Sequence, residues 1–149
     1  MTATILVLNG PNLNLLGSRE PAIYGTTTLA EIEALCREEA DAYGFALEFR
    51  QSNAEHMLVD WIQGASGAVG IVINPAAFSY SGYAILDALK ACNCPIVEVH
   101  LSNIHRREAE WRARSIITQG VTGVISGLGA SGYVLAVRHL ALLNGSRGS

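Results

Sequence analysis

The stretch Pro95–Asn103, PIVEVHLSN, predicts a buried β-strand that ends in a cluster of polar groups. Glu98 and His100 are two residues apart, so on a strand their side chains point to the same face. Charged Glu is seldom buried without a partner, and a carboxylate is a natural partner for an imidazole N–H. The strand alone leaves two interpretations open. In the first, His100 is a general acid or base that Glu98 orients. In the second, the two residues form a structural pair that fixes a loop.

Apolar runs and helical patterns alternate along the rest of the chain. Strands are predicted at residues 3–8, 45–49, 69–73, 95–101 and 121–126. Helices are predicted after the capping boxes Thr28-x-x-Glu31 and Ser52-x-x-Glu55, and at residues 81–91 and 133–143. This alternation predicts an α/β fold: a flavodoxin-like, doubly wound, five-stranded parallel sheet of order 2-1-3-4-5 with helices on both faces.

Polar side chains follow four of the predicted strands. They are Asn9 and Asn12, Gln51 and Ser52, Asn74, and His100 and Ser102. In doubly wound sheets, ligands bind beyond the carboxyl ends of the strands. We therefore expect these groups to meet at one edge of the sheet, which favours the functional interpretation of the opening strand.

Length and composition limit the class of protein. The 149 residues suit one catalytic domain, predicted at 1–144, with 145–149 as a disordered tail or an expression remnant. The net charge of −3 argues against a nucleic-acid surface, and no apolar run is long enough to cross a membrane. The three cysteines are an odd number, which favours reduced thiols in a cytoplasmic protein.

Two features of the sequence suggest ligand binding, but neither predicts a site. Gly127–Gly132 matches the G-x-G-x-x-G dinucleotide pattern, but no later strand supplies the ribose-binding acid, so close packing of helix on strand is favoured. The four histidines, His56, His100, His105 and His139, lack a compact ligand spacing, so no metal site is predicted.

The long segment between the first strand and the first helix contains Arg19 and Tyr24. A nearby guanidinium favours the phenolate form of tyrosine, so this pair is able to supply a base at neutral pH. The alternative is a tyrosine that packs under a loop.

Ordered motifs cover nearly the whole chain: residues 6–17 (LVLNGPNLNLLG), 19–21 (REP), 24–25 (YG), 51–53 (QSN), 73–75 (INP), 97–103 (VEVHLSN) and 127–133 (GLGASGY). In this order they resemble the type II 3-dehydroquinate dehydratases, or type II dehydroquinases. The resemblance implies a flavodoxin-like hydro-lyase that converts 3-dehydroquinate to 3-dehydroshikimate by anti elimination through an enolate, without metal or cofactor.

The resemblance also implies a role for each catalytic residue. Tyr24 is the base that removes the C2 proton, and Arg19 lowers the pKa of Tyr24. Asn12 holds a water that stabilises the enolate. His100 is the acid that protonates the departing hydroxyl, and Glu98 orients it.

Further residues are implied to bind substrate. The backbone N–H groups of Leu101 and Ser102, with the Ser102 hydroxyl, bind the substrate carboxylate, while Asn74 and Arg112 bind ring hydroxyls. Asp87 reaches across from a neighbouring subunit, in a homododecamer built as a tetramer of trimers. The small-molecule substrate and self-association are the partners that the resemblance implies.

The chain departs from the family pattern at residues 76–81, AAFSYS. Ala76 stands where the family has Gly, and Tyr80 stands where it has a histidine that contacts a ring hydroxyl. The segment that precedes Arg112 is also one residue longer than the family pattern. A slower enzyme, a quinate-catabolic enzyme, a lyase for a related cyclic hydroxy-keto acid and a non-catalytic metabolite-binding paralogue therefore stay open.

Overall fold

The protein forms one five-stranded parallel sheet. Its structure, a computed structural model, describes residues 2–18, 22 and 25–148. The strands are β1 Thr4–Asn9, β2 Ala46–Gln51, β3 Gly70–Asn74, β4 Ile96–His100 and β5 Gly123–Ser126. Their order is β2-β1-β3-β4-β5, and every neighbouring pair is parallel. The predicted sheet and its order are confirmed.

Helices connect the strands. The α-helices are α1 Leu29–Ala42, α2 Glu55–Gln63, α3 Phe78–Ser81, α4 Tyr83–Lys90 and α5 Ala130–Gly148. Short 3-10 turns occupy Leu13–Leu15, Ile104–Arg106, Glu110–Arg112 and Ile116–Gly120. Helices α1 and α5 pack together on one face of the sheet, and α2 and α4 pack together on the other.

Alternate residues of β1, an interior strand, face two separate cores. Ile5 and Val7 of β1 face the core under α1 and α5, while Leu6 and Leu8 face the core under α2 and α4. A strand that is buried on both faces requires a continuous apolar run, because successive side chains point to opposite faces. Full burial of each such aliphatic side chain stabilises the fold by roughly 1.5–3 kcal/mol.

The same alternation positions the polar pair of β4. Val97 and Val99 face the α1/α5 core, and Ile96 faces the α2/α4 core. Glu98 and His100 therefore share the α2/α4 side of the sheet, as their two-residue spacing predicts. Both are buried.

One of the two predicted capping boxes is confirmed, and the other is wrong. The Thr28 capping box is confirmed, since Thr28 Oγ1 accepts the Glu31 N–H and the Glu31 carboxylate accepts the Thr28 N–H. The Ser52 box is wrong: Ser52 Oγ accepts the N–H of Ala54, and Ala54 is the residue that precedes α2. The Ser52 hydroxyl therefore accepts a hydrogen bond from the residue two positions ahead, in place of the N–H three positions ahead that a capping box requires.

Two other helices differ from their predicted bounds. The helix predicted at 81–91 is found as α4, Tyr83–Lys90, and the short helix α3 before it was not predicted. The two helices are separated at Gly82, where an added Cβ would lie 2.6 Å from the Phe78 carbonyl oxygen. Helix α5 begins three residues before the predicted Tyr133 and continues through Gly148, so residues 145–148 of the predicted tail are helical. The boundary at 144 stays a prediction.

The glycine pattern at residues 127–132 allows a helix to pack closely on the sheet, as predicted. An added Cβ at Gly132 would lie 3.2 Å from the Ile125 side chain of β5 and 3.5 Å from Val99 of β4. The absence of a side chain at Gly132 therefore allows α5 to lie directly on the sheet.

Candidate active site

An open cleft of about 650 Å³ lies beyond the carboxyl ends of β1, β3 and β4. It brings together seven of the predicted site residues: Asn12, Asn74, Tyr80, His100, Leu101, Ser102 and Arg112. This is the edge at which ligands bind in doubly wound sheets. The predicted convergence of polar groups is confirmed for Asn12, Asn74, His100 and Ser102, whereas Asn9, Gln51 and Ser52 do not line the cleft.

Two of the other predicted residues do not line the cleft, and two lie outside the described residues. Glu98 is fully buried beside His100 and does not line the cleft. Asp87 is exposed on α4, away from the cleft. Arg19 and Tyr24 lie outside the described residues.

The buried Glu98 carboxylate binds two partners. Its Oε2 lies 2.5 Å from His100 Nε2, and its Oε1 accepts a hydrogen bond of 2.7 Å from the Thr118 hydroxyl. Thr118 belongs to the 3-10 turn Ile116–Gly120, and its role was not predicted. With one partner on each oxygen, the carboxylate is held rigidly and in turn fixes the His100 ring.

Electrostatics keep this carboxyl ionised. Burial alone favours the neutral form of Glu98, but hydrogen bonds from His100 and Thr118, together with the charge of His100, hold the pKa of Glu98 below its usual value of 4.5. An ionised carboxylate only accepts hydrogen bonds, so the proton between the two residues belongs to His100 Nε2. Nδ1 is then the ring nitrogen of His100 that Glu98 does not contact.

The lowered pKa of Glu98 predicts an acid-sensitive contribution to stability. Ionised Glu98 favours the folded state at neutral pH, and this contribution is lost as the pH falls below 4.5 and through the lower folded-state value. The difference in free energy of unfolding between wild type and Glu98→Gln should therefore narrow from about pH 7 to about pH 3 in urea titrations.

A matched control comes from an exposed ion pair. Glu110 pairs with Arg114 at the surface, and both side chains are more than three-quarters exposed. Glu110→Gln should differ from wild type by less than about 0.5 kcal/mol at either pH. A Glu98→Gln difference that is constant or grows in acid would contradict the ionised, stabilising carboxylate.

A second buried network supports the cleft from below. Tyr133 of α5 is fully buried, and its hydroxyl donates to Asn9 Oδ1 at 2.7 Å and accepts from Asn74 Nδ2 at 2.8 Å. Asn74 Oδ1 accepts the Ala76 N–H, and Asn9 Nδ2 donates to the Arg50 carbonyl. Burial raises the pKa of the Tyr133 hydroxyl, which stays protonated. These bonds join the ends of β1 and β3 and orient Asn74 at the cleft.

We predict that Tyr133→Phe lowers the free energy of unfolding by roughly 2–6 kcal/mol, because a buried donor and a buried acceptor lose their partner at about 1–3 kcal/mol each. Tyr43→Phe is the matched control, since Tyr43 is 41% exposed and should change stability by less than about 0.5 kcal/mol. Chemical denaturation measures both. Equal stability of the two variants would show that the buried network contributes little.

Arg107 is a cleft residue that was not predicted. Its Nη1 donates to the Tyr80 hydroxyl at 2.6 Å, and its Nη2 donates to Ser102 Oγ at 3.1 Å. The Tyr80 ring meets the edge of Trp111 at 5.0 Å, and the Arg112 guanidinium lies over the same indole at 5.2 Å. The signal available in the sequence is a pair of arginines, 106 and 107, soon after the carboxyl end of β4.

The backbone beside the cleft is tightly constrained at two positions. Asn12 and Ala76 adopt left-handed conformations, with φ of 68° and 50°. Asn tolerates this region, whereas for Ala it costs roughly 1–2 kcal/mol. Ala76 thus keeps a backbone conformation suited to the Gly of the family pattern, at a cost in stability.

The described ranges contain neither a metal-binding cluster nor a membrane-spanning helix. No group of three or more His, Cys, Asp or Glu side chains within those ranges is placed to hold a metal ion. In the same part of the chain, no helix is both long enough and apolar enough to span a membrane.

Comparisons with known proteins agree on one family. The family model for dehydroquinase class II matches residues 3–141. A 3-dehydroquinate dehydratase of Methylobacterium radiotolerans is 55% identical over 99% of both chains, and one of Rhizobium meliloti is 57% identical over 94% of this chain and 95% of its own. The crystal structure of a type II dehydroquinase from Propionibacterium acnes superposes with a TM-score of 0.89 at 47% identity, covering 95% of this chain and 98% of that one. The chain therefore belongs to the class II dehydroquinases, a family of hydro-lyases.

Proposed function

We propose that this protein dehydrates 3-dehydroquinate to 3-dehydroshikimate in the cleft at the carboxyl edge of its sheet. The observation that carries the proposal is the buried Glu98–His100 pair, because it presents an oriented imidazole to a polar cleft in a chain of this family. Relatives that are more than half identical over nearly the whole chain bear the name 3-dehydroquinate dehydratase.

His100 acts as the general acid. Expulsion of hydroxide from carbon requires a proton at the leaving oxygen, and a positioned imidazolium supplies one. Glu98 accepts from Nε2 and stabilises the positive charge, so the Nδ1 proton is the one transferred. Thr118 keeps the carboxylate in place through its second oxygen.

Removal of the C2 proton requires a base and stabilisation of the enolate oxygen. Tyr24 is the base and Arg19 favours its phenolate, on the family resemblance of their segment. Asn12 lines the cleft and holds the water that stabilises the enolate. Base and acid act on opposite faces of the ring, which gives anti elimination.

Substrate binding involves the turn after β4. The carboxylate binds the backbone N–H groups of Leu101 and Ser102 and the Ser102 hydroxyl, which Arg107 contacts. Asn74, Tyr80 and Arg112 face the ring hydroxyls.

Tyr80→Phe tests the altered part of this binding set. The change removes the hydroxyl that accepts from Arg107 Nη1, a bond to a charged group worth roughly 1.5–3 kcal/mol. We predict that kcat/KM for 3-dehydroquinate falls by about 10-fold or more, mainly through KM. Tyr43→Phe, which changes an exposed ring just after the end of α1, should leave kcat/KM unchanged. Equal kcat/KM for wild type and Tyr80→Phe would remove Tyr80 from substrate binding.

The position of Asp87 favours a contact with substrate from a second subunit. It is exposed on α4 and does not line the cleft of its own chain, so it contacts substrate only from another copy. Large exposed apolar side chains, among them Tyr83 on the same helix and Leu128 after β5, favour burial between subunits. We propose a homododecamer, a tetramer of trimers, whose mass by light scattering is about twelve times 15.8 kDa. A monomer at working concentration would exclude it.

The reaction serves aromatic amino-acid biosynthesis through the shikimate pathway, or quinate catabolism, in the cytoplasm. A second candidate substrate is a related cyclic hydroxy-keto acid, because Tyr80 and Arg107 occupy the hydroxyl-binding side of the cleft. Proton NMR of 3-dehydroquinate and its analogues incubated with the protein tests both candidates. We expect the olefinic product signal fastest from 3-dehydroquinate. A faster analogue would favour the second candidate, and binding without product from any compound would indicate a non-catalytic paralogue.

A further inference from the structure

Cys92 and Cys94 form a thiol pair far from the cleft. They lie in the turn between Lys90, the end of α4, and Ile96, the start of β4, with Asn93 between them. Their sulfur atoms are 3.4 Å apart, in direct contact. Both side chains are partly exposed, so reagents from solvent reach them. This end of β4 is the amino end, whereas His100 and the cleft are at its carboxyl end.

The geometry is closer to disulfide formation than to metal binding. A disulfide has an S–S length of about 2.04 Å, so the sulfurs need to approach by roughly 1.4 Å. Cys92 and Cys94 lie outside regular helix and strand, where rotation of side chains and turn backbone is least constrained. A tetrahedral zinc ion with Zn–S bonds of about 2.3 Å separates its sulfurs by roughly 3.8 Å and needs further ligands. No third His, Cys, Asp or Glu joins the pair within the described ranges.

Burial, followed by the hydrogen bond with Cys92, raises the pKa of Cys94 to about 12, so Cys94 keeps its proton. The contact between the two sulfurs is an S–H···S hydrogen bond in which either atom can be the donor. Since the thiolate is the nucleophilic form of cysteine, the protonated Cys94 is suited to the second step of a thiol–disulfide exchange rather than the first. Cys36 differs from this pair in exposure, because it is fully buried on α1. Burial, together with the nearby charge of Glu33, raises the pKa of Cys36 to about 12.

We propose that Cys92 and Cys94 are a modification site that forms a reversible intramolecular disulfide with a small-molecule disulfide as oxidant. With glutathione disulfide, the Cys92 thiolate attacks one sulfur, forms a mixed disulfide and releases one glutathione. The Cys94 sulfur then loses its proton and attacks the Cys92 sulfur, which forms the Cys92–Cys94 bond and releases the second glutathione. Two electrons pass from the two cysteine sulfurs to the reagent.

The test is a redox titration of the full-length protein. Samples are equilibrated in glutathione buffers from fully reduced to fully oxidised, quenched with acid, denatured and alkylated with N-ethylmaleimide. We expect three alkylated cysteines at the reducing end. At the oxidising end we expect one, Cys36, with the protein lighter than the unalkylated chain plus one label by two hydrogen atoms. Peptide mapping should join Cys92 to Cys94.

Variants assign the bond. Cys36→Ser should retain the two-electron transition, whereas Cys92→Ser and Cys94→Ser should lose it and give at most a mixed disulfide with glutathione. Three alkylated thiols throughout the titration, a bond that includes Cys36, or a bond between chains would overturn the proposal. Mapping of the wild type decides the outcome even if a variant fails to fold, and none of these readouts depends on dehydratase activity.

Discussion

His100→Ala is expected to lower kcat for 3-dehydroquinate by roughly 10²–10⁴-fold, the contribution of a positioned general acid. The substrate is bound chiefly by other groups of the cleft, so KM should change little by comparison. His105→Ala is the matched control, because His105 is exposed on the next turn and does not line the cleft. It should leave both constants close to wild type. Initial rates of product formation measure all three proteins.

Removal of His100 also leaves the Glu98 carboxylate without its ring partner. Loss of one member of a buried charged pair costs roughly 3–5 kcal/mol, so the folded fraction of the variant needs to be measured by circular dichroism and thermal unfolding. His100→Gln, which retains a donor for Glu98, is the second variant. It should recover stability and not kcat. Wild-type kcat in a folded His100 variant would contradict the role of His100 as the acid.

Tyr24→Phe is expected to reduce kcat by a similar factor, roughly 10²–10⁴, because the phenolate that removes the C2 proton is lost. Phenylalanine keeps the ring, so the change removes only the hydroxyl that accepts the proton. Tyr43→Phe is again the matched control, since Tyr43 is exposed and does not line the cleft.

Exchange of the C2 proton distinguishes the two catalytic roles. In deuterated water, a folded His100→Ala protein with an intact base should still exchange the C2 proton of 3-dehydroquinate, while Tyr24→Phe should lose both exchange and dehydration. This pattern follows if the enolate forms before the hydroxyl leaves. Exchange that persists in Tyr24→Phe would assign the base to another residue.

Local patterns predicted the sheet well. The continuous apolar run of β1 matches a strand whose two faces contact different cores, and the spacing of Glu98 and His100 places them on one side of β4. The polar residues that follow β1, β3 and β4 share a cleft because parallel strands align their carboxyl ends: Asn9 is in register with Asn74, and His100 with Ser126.

The wrong and missing predictions depend on contacts that hydrophobic and turn patterns do not show. Thr118 and Tyr133 contact Glu98 and Asn9 from 20 and 124 residues away along the chain. Arg107 is only 5 residues from Ser102, but the chain between them forms neither an α-helix nor a strand whose period predicts the contact. Ser52 has the residue type and spacing of a capping box, but its hydroxyl accepts from Ala54 in a tighter turn. The separation of α3 from α4 at Gly82 depends on the close approach of the Phe78 carbonyl, a backbone contact that composition does not show.

One measurement tests the central claim most directly: the initial rate at which purified protein generates the ultraviolet absorbance of the conjugated enone from 3-dehydroquinate, beside an equal concentration of folded His100→Gln. We predict a rate proportional to wild-type concentration and at least about 100-fold lower in the variant. No absorbance change with folded wild type, or equal rates for the two proteins, would contradict a dehydratase that acts through the Glu98–His100 pair.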